Sequence, residues 1–176
     1  MMELFDQALL TAVAVATSVI SGVIGMAGGV TLLAVMTFFL PWKVIVPIHG
    51  VVQLVSNFSR SYFLRHHIRW SLLGPLIFGV PIGALISTLL IEQVINKSLP
   101  QILIAIVILY VLFKPKKLPS IQLKGSGFFV LGVVAGGLGL LVGATGPFMA
   151  PFFLRDDFNK QEIVANKATA QAFVHI

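Results

Sequence analysis

From Gln7 to Trp42 the chain reads QALLTAVAVATSVISGVIGMAGGVTLLAVMTFFLPW, 36 residues without a charge. As one straight α-helix this stretch would reach roughly 54 Å at about 1.5 Å per residue, against a bilayer hydrocarbon core of about 30 Å. It must break, and Gly25-Met26-Ala27-Gly28-Gly29 marks the place, because glycine carries little steric restriction and is disfavoured inside helices. A second uncharged run, Gly125 to Leu154, holds 30 residues and would extend roughly 45 Å unbroken. Its break is Gly143-Ala144-Thr145-Gly146-Pro147, where proline also removes an amide donor. Behind the two breaks remain Val30 to Leu40 and Phe148 to Leu154. Both pieces are too short to span and read as half-helices or re-entrant segments packed inside protein.

Three further apolar runs, Val44 to Ser59, Trp70 to Ile91 and Ser98 to Phe113, suit single helices. With 57% apolar and only 10% charged residues, the chain cannot be divided into a small core and a hydrated surface, so lipid is its solvent. The expected fold is an all-α, polytopic transmembrane helix bundle. Seven of the twelve lysines and arginines sit in two loops, one with Arg60, Arg65 and Arg69, the other with Lys114, Lys116, Lys117 and Lys124. Basic loops without acidic residues face the cytoplasm, which accounts for the net charge of +6 without a nucleic-acid partner; no basic face interleaved with aromatics is present. The chain has no cysteine, which excludes disulfides, thiolate metal sites and cysteine catalysis. The acidic start Met1-Met2-Glu3-Leu4-Phe5-Asp6 lacks the positive charge of a cleaved signal peptide and reads as retained.

At an offset of 118 residues Gly25 falls on Gly143, Gly28 on Gly146, Ile45 on Ile163, Val46 on Val164 and Gln53 on Gln171. In both places a glycine break is followed by a short apolar piece, a polar turn and a helix with a polar stripe, the pattern of an internal repeat as found in transporters. The division expected is a first transmembrane repeat over 1–113, a basic cytoplasmic loop over 114–124, and the first part of a second repeat over 125–176. A second unit beginning near Gly125 is about half present at Ile176, so the chain reads as truncated relative to a complete two-unit protein, or as completed by another chain.

The helix after the first break carries His49, Gln53 and Asn57 at four-residue spacing, with Arg60 on the same side. At 100° per residue these lie within an arc of about 80°. The second unit carries Lys167, Gln171 and His175 at the same spacing. The bland alternative is that such side chains only hydrogen-bond neighbouring helices. A lysine at membrane depth, however, marks a functional site by default, unless it snorkels to an interface. Each break also leaves the first amides of the following half-helix unpaired, with partial positive charge aimed into the gap. Anions are favoured there, unless the glycines serve only close helix packing. The candidate substrate-binding set is therefore Gly25, Gly28, Gly29, His49, Gln53, Asn57, Gly143, Thr145, Gly146, Lys167, Gln171 and His175. Lys167 and His49 would supply charge, Gln53, Asn57 and Gln171 would orient the substrate, and His175 could couple a proton.

Nothing points to an enzyme or a cofactor. His66 and His67 are adjacent, so their side chains diverge, and they read as interfacial loop residues rather than metal ligands. No zinc-protease pair, nucleophile elbow or phosphate-binding loop occurs, and Asp156 and Asp157 are explained by a solvated, capping turn.

These motifs resemble the sulfite exporter TauE/SafE family, also described as the toluene-sulfonate uptake permease family. The resemblance rests on Gly25 to Gly29, Pro47 to Gln53 and Ser56 to Arg60 in the first unit. In the second it rests on Gly143 to Pro147, Ala150 to Leu154, Asn159-Lys160 and Lys167 to Gln171. It implies an eight-helix permease of two four-helix repeats in the cytoplasmic membrane, moving sulfite, sulfonates or related sulfur-containing anions, and it leaves room for a homo-oligomer. Ala27 stands where members often have another glycine, and helices of the second repeat are missing from the pattern. The alternative function is therefore a non-transporting membrane subunit or an inactive fragment of such a permease.

Overall fold

The computed structural model describes residues 4–24, 28–94, 99–113 and 121–176. The described chain is all α: α1 (Leu4–Ile24), α2 (Gly28–Phe39), α3 (Trp42–Phe63), a single 3₁₀ turn (Arg65–His67), α4 (Trp70–Val94), α5 (Leu99–Phe113), α6 (Gly125–Val142), α7 (Gly146–Phe153) and α8 (Lys160–Val174). The second long apolar run breaks where its glycines stand, and the first is divided into α1 and α2. Gly143 ends α6 in the left-handed region at φ 68°, its N–H bonded to the Gly139 carbonyl, a conformation that a side chain would strain. Residues 25–27 of the first break, with them the candidate Gly25, lie outside the described residues.

The helix limits repeat as the sequence does. Ile24 and Val142 end helices, Gly28 and Gly146 start the half-helices, and Trp42 and Lys160 start the helices behind them, each pair 118 residues apart. The half-helices differ in length, 12 residues in α2 and 8 in α7. Of the expected basic loop over 114–124, only 121–124 is described.

One expected boundary shifts. Arg60 was assigned to a loop, yet α3 continues through it to Phe63. Its guanidinium folds back along the helix, donating from Nε to the Ser56 carbonyl (3.1 Å), from Nη2 to Asn57 Oδ1 (2.9 Å) and from Nη1 to the Ser21 carbonyl of α1 (3.3 Å). Satisfied in this way, the charge need not leave the helix.

The tightest packing joins α4 to α6. A Cβ on Gly132 or Gly136 would collide with the carbonyls of Leu76 and Val80, and one on Gly79 or Gly83 with those of Phe129 and Val133. Small residues let the two backbones touch, as expected where lipid offers no hydrophobic drive between helices. Around this seam Leu73, Leu76 and Val80 of α4 meet Phe128, Leu131 and Ala135 of α6, Met149 and Phe153 of α7 and Ala170 of α8. A second cluster gathers Val30, Leu32, Leu33 and Met36 of α2 around Ile45 and Val142.

Large apolar side chains also point outward, among them Phe38, Phe63, Phe78 and Phe113 at 74–84% exposure. Among the described residues two helices are long and apolar enough to cross a membrane, Trp70–Leu90 and Gly125–Val142, which supports membrane association.

Candidate functional site

The two half-helix starts and the polar stripes of α3 and α8 enclose one buried cavity. Its lining includes His49, Gln53 and Arg60 of α3, Lys167, Gln171 and His175 at α8, Gly29, and Gly143 to Pro147. The space open to the centre of a water-sized body is about 20 Å³. That exceeds the roughly 10–15 Å³ that lodges one water.

His49 is 1% exposed. Its Nε2 lies 2.8 Å from the Gly29 carbonyl; a carbonyl only accepts, so this nitrogen carries the proton of the neutral ring. Nδ1 turns to the Gly143 backbone, where a Cβ on Gly143 would lie 3.6 Å from it, without a hydrogen bond of good geometry. The ring of His175 stands edge-on, 6.2 Å away and 78° to it. Thr145 caps α7, is buried, and its Oγ1 has no partner either. A buried polar atom left unmatched costs about 1–3 kcal/mol, so pairing with water or another hydrogen-bonding group is favoured at both.

The glutamines take corresponding positions in the two halves. Gln53 leans on Gly29, where a Cβ would lie 3.0 Å from its Oε1, and Gln171 on Gly146, where a Cβ would lie 2.7 Å from its Nε2. Lys167, 5% exposed, and Arg60 bring positive charge to the wall. Among the described lining residues none carries a carboxylate.

Two candidates stand elsewhere. Gly28 packs against Thr17 and Ser21 of α1, where a Cβ would collide, and is not in the wall. Asn57 is fully buried behind Arg60, accepting its Nη2–H, with its own Nδ2 unpaired. The wall also holds residues outside the candidate set: Ser21 from α1, and Arg60, whose place on the stripe was the available signal.

A further polar cluster was not foreseen. Arg69 pairs with Glu162 Oε1 at 2.8 Å and with Asp157 Oδ2 at 3.0 Å, and Asn166 accepts the Arg69 N–H (2.7 Å) while donating to the His67 carbonyl (3.0 Å). Together they fasten the α3–α4 connection to the start of α8, which Asn159 and Glu162 close with a capping box. Asp157 is thus more than a capping residue. Hydrogen bonding to Arg155, reinforced by the charges of Arg155 and Arg69, holds its carboxyl below the usual carboxylate range. Partners some ninety residues apart leave no local signature. His66 and His67 lie in the 3₁₀ turn beside this cluster, and among the described residues no three potential ligands gather as a metal site.

A lipid-facing helical bundle, broken twice around a buried cationic cavity, is the architecture of a small-anion permease. Over residues 10–176 the sequence matches the family model described as Sulfite exporter TauE/SafE. The chain belongs to this family of membrane transporters, and it is a permease for small anions, not an enzyme. No curated protein and no solved structure matches it.

Proposed function

We propose that the chain moves sulfite, or a sulfur oxyanion of similar size, across the cytoplasmic membrane by exposing the His49–Lys167 cavity alternately to its two sides. The observation that carries this reading is the cavity's chemistry: Lys167, Arg60 and two imidazoles surround unpaired His49 Nδ1 and Thr145 Oγ1, with no carboxylate among the described lining residues. Lys167 supplies fixed charge to the anion, and the first amides of α2 and α7 add partial positive charge. Gln53 and Gln171 orient its oxygens through their amide N–H groups. A proton arriving at His49 Nδ1 turns an acceptor into a donor and adds a third full charge to those of Lys167 and Arg60.

In this proposal the chain is multi-pass, with residues 1–113 as one repeat and 125–176 as the described part of another, and with both basic loops in the cytoplasm. α2 and α7 act as the paired half-helices, and rocking of one unit against the other changes the side to which the cavity opens. Counter-flow of radiolabelled sulfite into proteoliposomes preloaded with sulfite tests it. Uptake well above that of protein-free vesicles is expected; uptake equal to theirs, from monodisperse and correctly inserted protein, would count against it.

A further inference from the structure

Arg60 meets only neutral oxygens. Its Nε donates to the Ser56 carbonyl (3.1 Å), its Nη2 to Ser56 Oγ (3.1 Å) and to Asn57 Oδ1 (2.9 Å), and its Nη1 to the Ser21 carbonyl (3.3 Å). A guanidinium has five N–H groups, so its hydrogen bonding is nearly complete while its charge stays uncancelled. Arg69 and Arg155 differ, since both pair with carboxylates at 2.8–3.0 Å. Among the described residues no carboxylate pairs with Arg60, although it is half-buried and lines the anion cavity.

Asn57 occupies the place where that charge would be cancelled most readily. It is fully buried, lies outside the cavity wall, and makes the shortest of the four bonds. The N–H donor requires that the amide turn its oxygen, not its nitrogen, to the guanidinium. An aspartate has the same shape and would offer the same acceptor with a full negative charge, forming a charge-assisted pair. A cation paired in this way has little attraction left for a third ion. We infer that Asn57 is a positioning residue for anion binding, whose neutral amide holds the Arg60 guanidinium at the cavity without cancelling its charge. Instead of touching the anion, Asn57 presents a group that does. The inference rests on the anion-permease reading of the cavity and adds what Arg60 selects there. Because the protein engages all but one of its N–H groups, Arg60 cannot grip two oxygens of an oxyanion as a fork. It acts as a held charge, and so favours anions over neutral molecules rather than one oxyanion shape over another.

The test compares thermal melts of the full chain with those of its Asn57→Asp and Arg60→Gln variants, purified in detergent. With gluconate, too bulky for the cavity, as the only anion, Asn57→Asp should melt several degrees above the wild type, because its carboxylate partners a cation that otherwise has none. Sulfite, sulfate and chloride are then titrated in turn at constant ionic strength. At least one of them should raise the wild-type melting temperature. Its half-effective concentration should be at least tenfold higher for Asn57→Asp and for Arg60→Gln. The inference is overturned if Asn57→Asp melts at or below the wild type in gluconate, if either variant answers the anions as the wild type does, or if the wild type answers none of them. Stabilisation of the wild type alone by sulfate or chloride, and not by sulfite, upholds the role of Asn57 and overturns sulfite as the substrate.

Discussion

His49 Nε2 donates to the Gly29 carbonyl across 2.8 Å, and this bond ties α3 to the first turn of α2 while the other ring nitrogen turns to the Gly143 side of the cavity. Position and chemistry are thus divided between two atoms of one side chain. His49→Ala leaves the carbonyl without its donor, at a cost of about 1–3 kcal/mol, and should lower the melting temperature by several degrees. His49→Gln can restore the bond through its amide but cannot take up a proton. Uptake by the wild type should rise on acidification and that of His49→Gln should not, which a pH series of initial rates in proteoliposomes would reveal.

Lys167→Met removes a buried charge from the cavity wall. Anion uptake should fall on the order of tenfold to a hundredfold, equivalent to about 1.4–2.8 kcal/mol. Lys167→Arg, which keeps the charge, should retain a measurable part. If Lys167→Met transports like the wild type at subsaturating sulfite, the lysine does not serve the anion.

Gly146→Ala places a methyl group 2.7 Å from Gln171 Nε2, and the flexible amide can swing away from it. Stability should change by less than about 1 kcal/mol, within the range of a minor repacking. The half-saturating sulfite concentration should rise several-fold because the orienting amide is displaced. Comparing thermal melts with concentration-dependent uptake separates the two effects.

Gly132→Leu acts in the opposite way. Its side chain would enter the Leu76 backbone, which cannot move without parting α4 from α6. Overpacking of this kind costs about 1–3 kcal/mol or more. Loss of a monodisperse peak in size-exclusion chromatography is expected, whatever substrate is present.

Asp157 carries a pH dependence of known sign. Its carboxyl titrates lower in the folded protein than in the unfolded chain, so its contribution is present above the unfolded value of about 3.9 and disappears as pH falls through the lower folded value. Asp157→Asn should flatten the decline of melting temperature below about pH 4. Between pH 6 and 8 the two curves should run parallel.

What could be read beforehand followed from periodicity and length. An uncharged run of 36 residues has to break, and only Gly25 to Gly29 offers the place; a stripe such as His49, Gln53 and Asn57 is fixed by helical geometry. The contacts that required folding were not visible in this way. Nothing local tells Gly28, pressed against α1, from Gly29, open to the cavity, and nothing near Arg69 announces Glu162. Arg60 misled because an arginine at the end of an apolar run usually starts a loop, whereas here Ser56, Asn57 and Ser21 keep it in the helix.

In the proposed two-repeat division, the glycine seam between α4 and α6 joins the latter part of one repeat to the opening of the next. As the chain leaves the ribosome, α4 reaches the bilayer with that face bare and keeps it so until α5, the connection and α6 have been made. Expressing residues 1–113 alone would therefore leave α4 permanently without its mate. In that division neither half is a module that can be finished during biogenesis before the other begins.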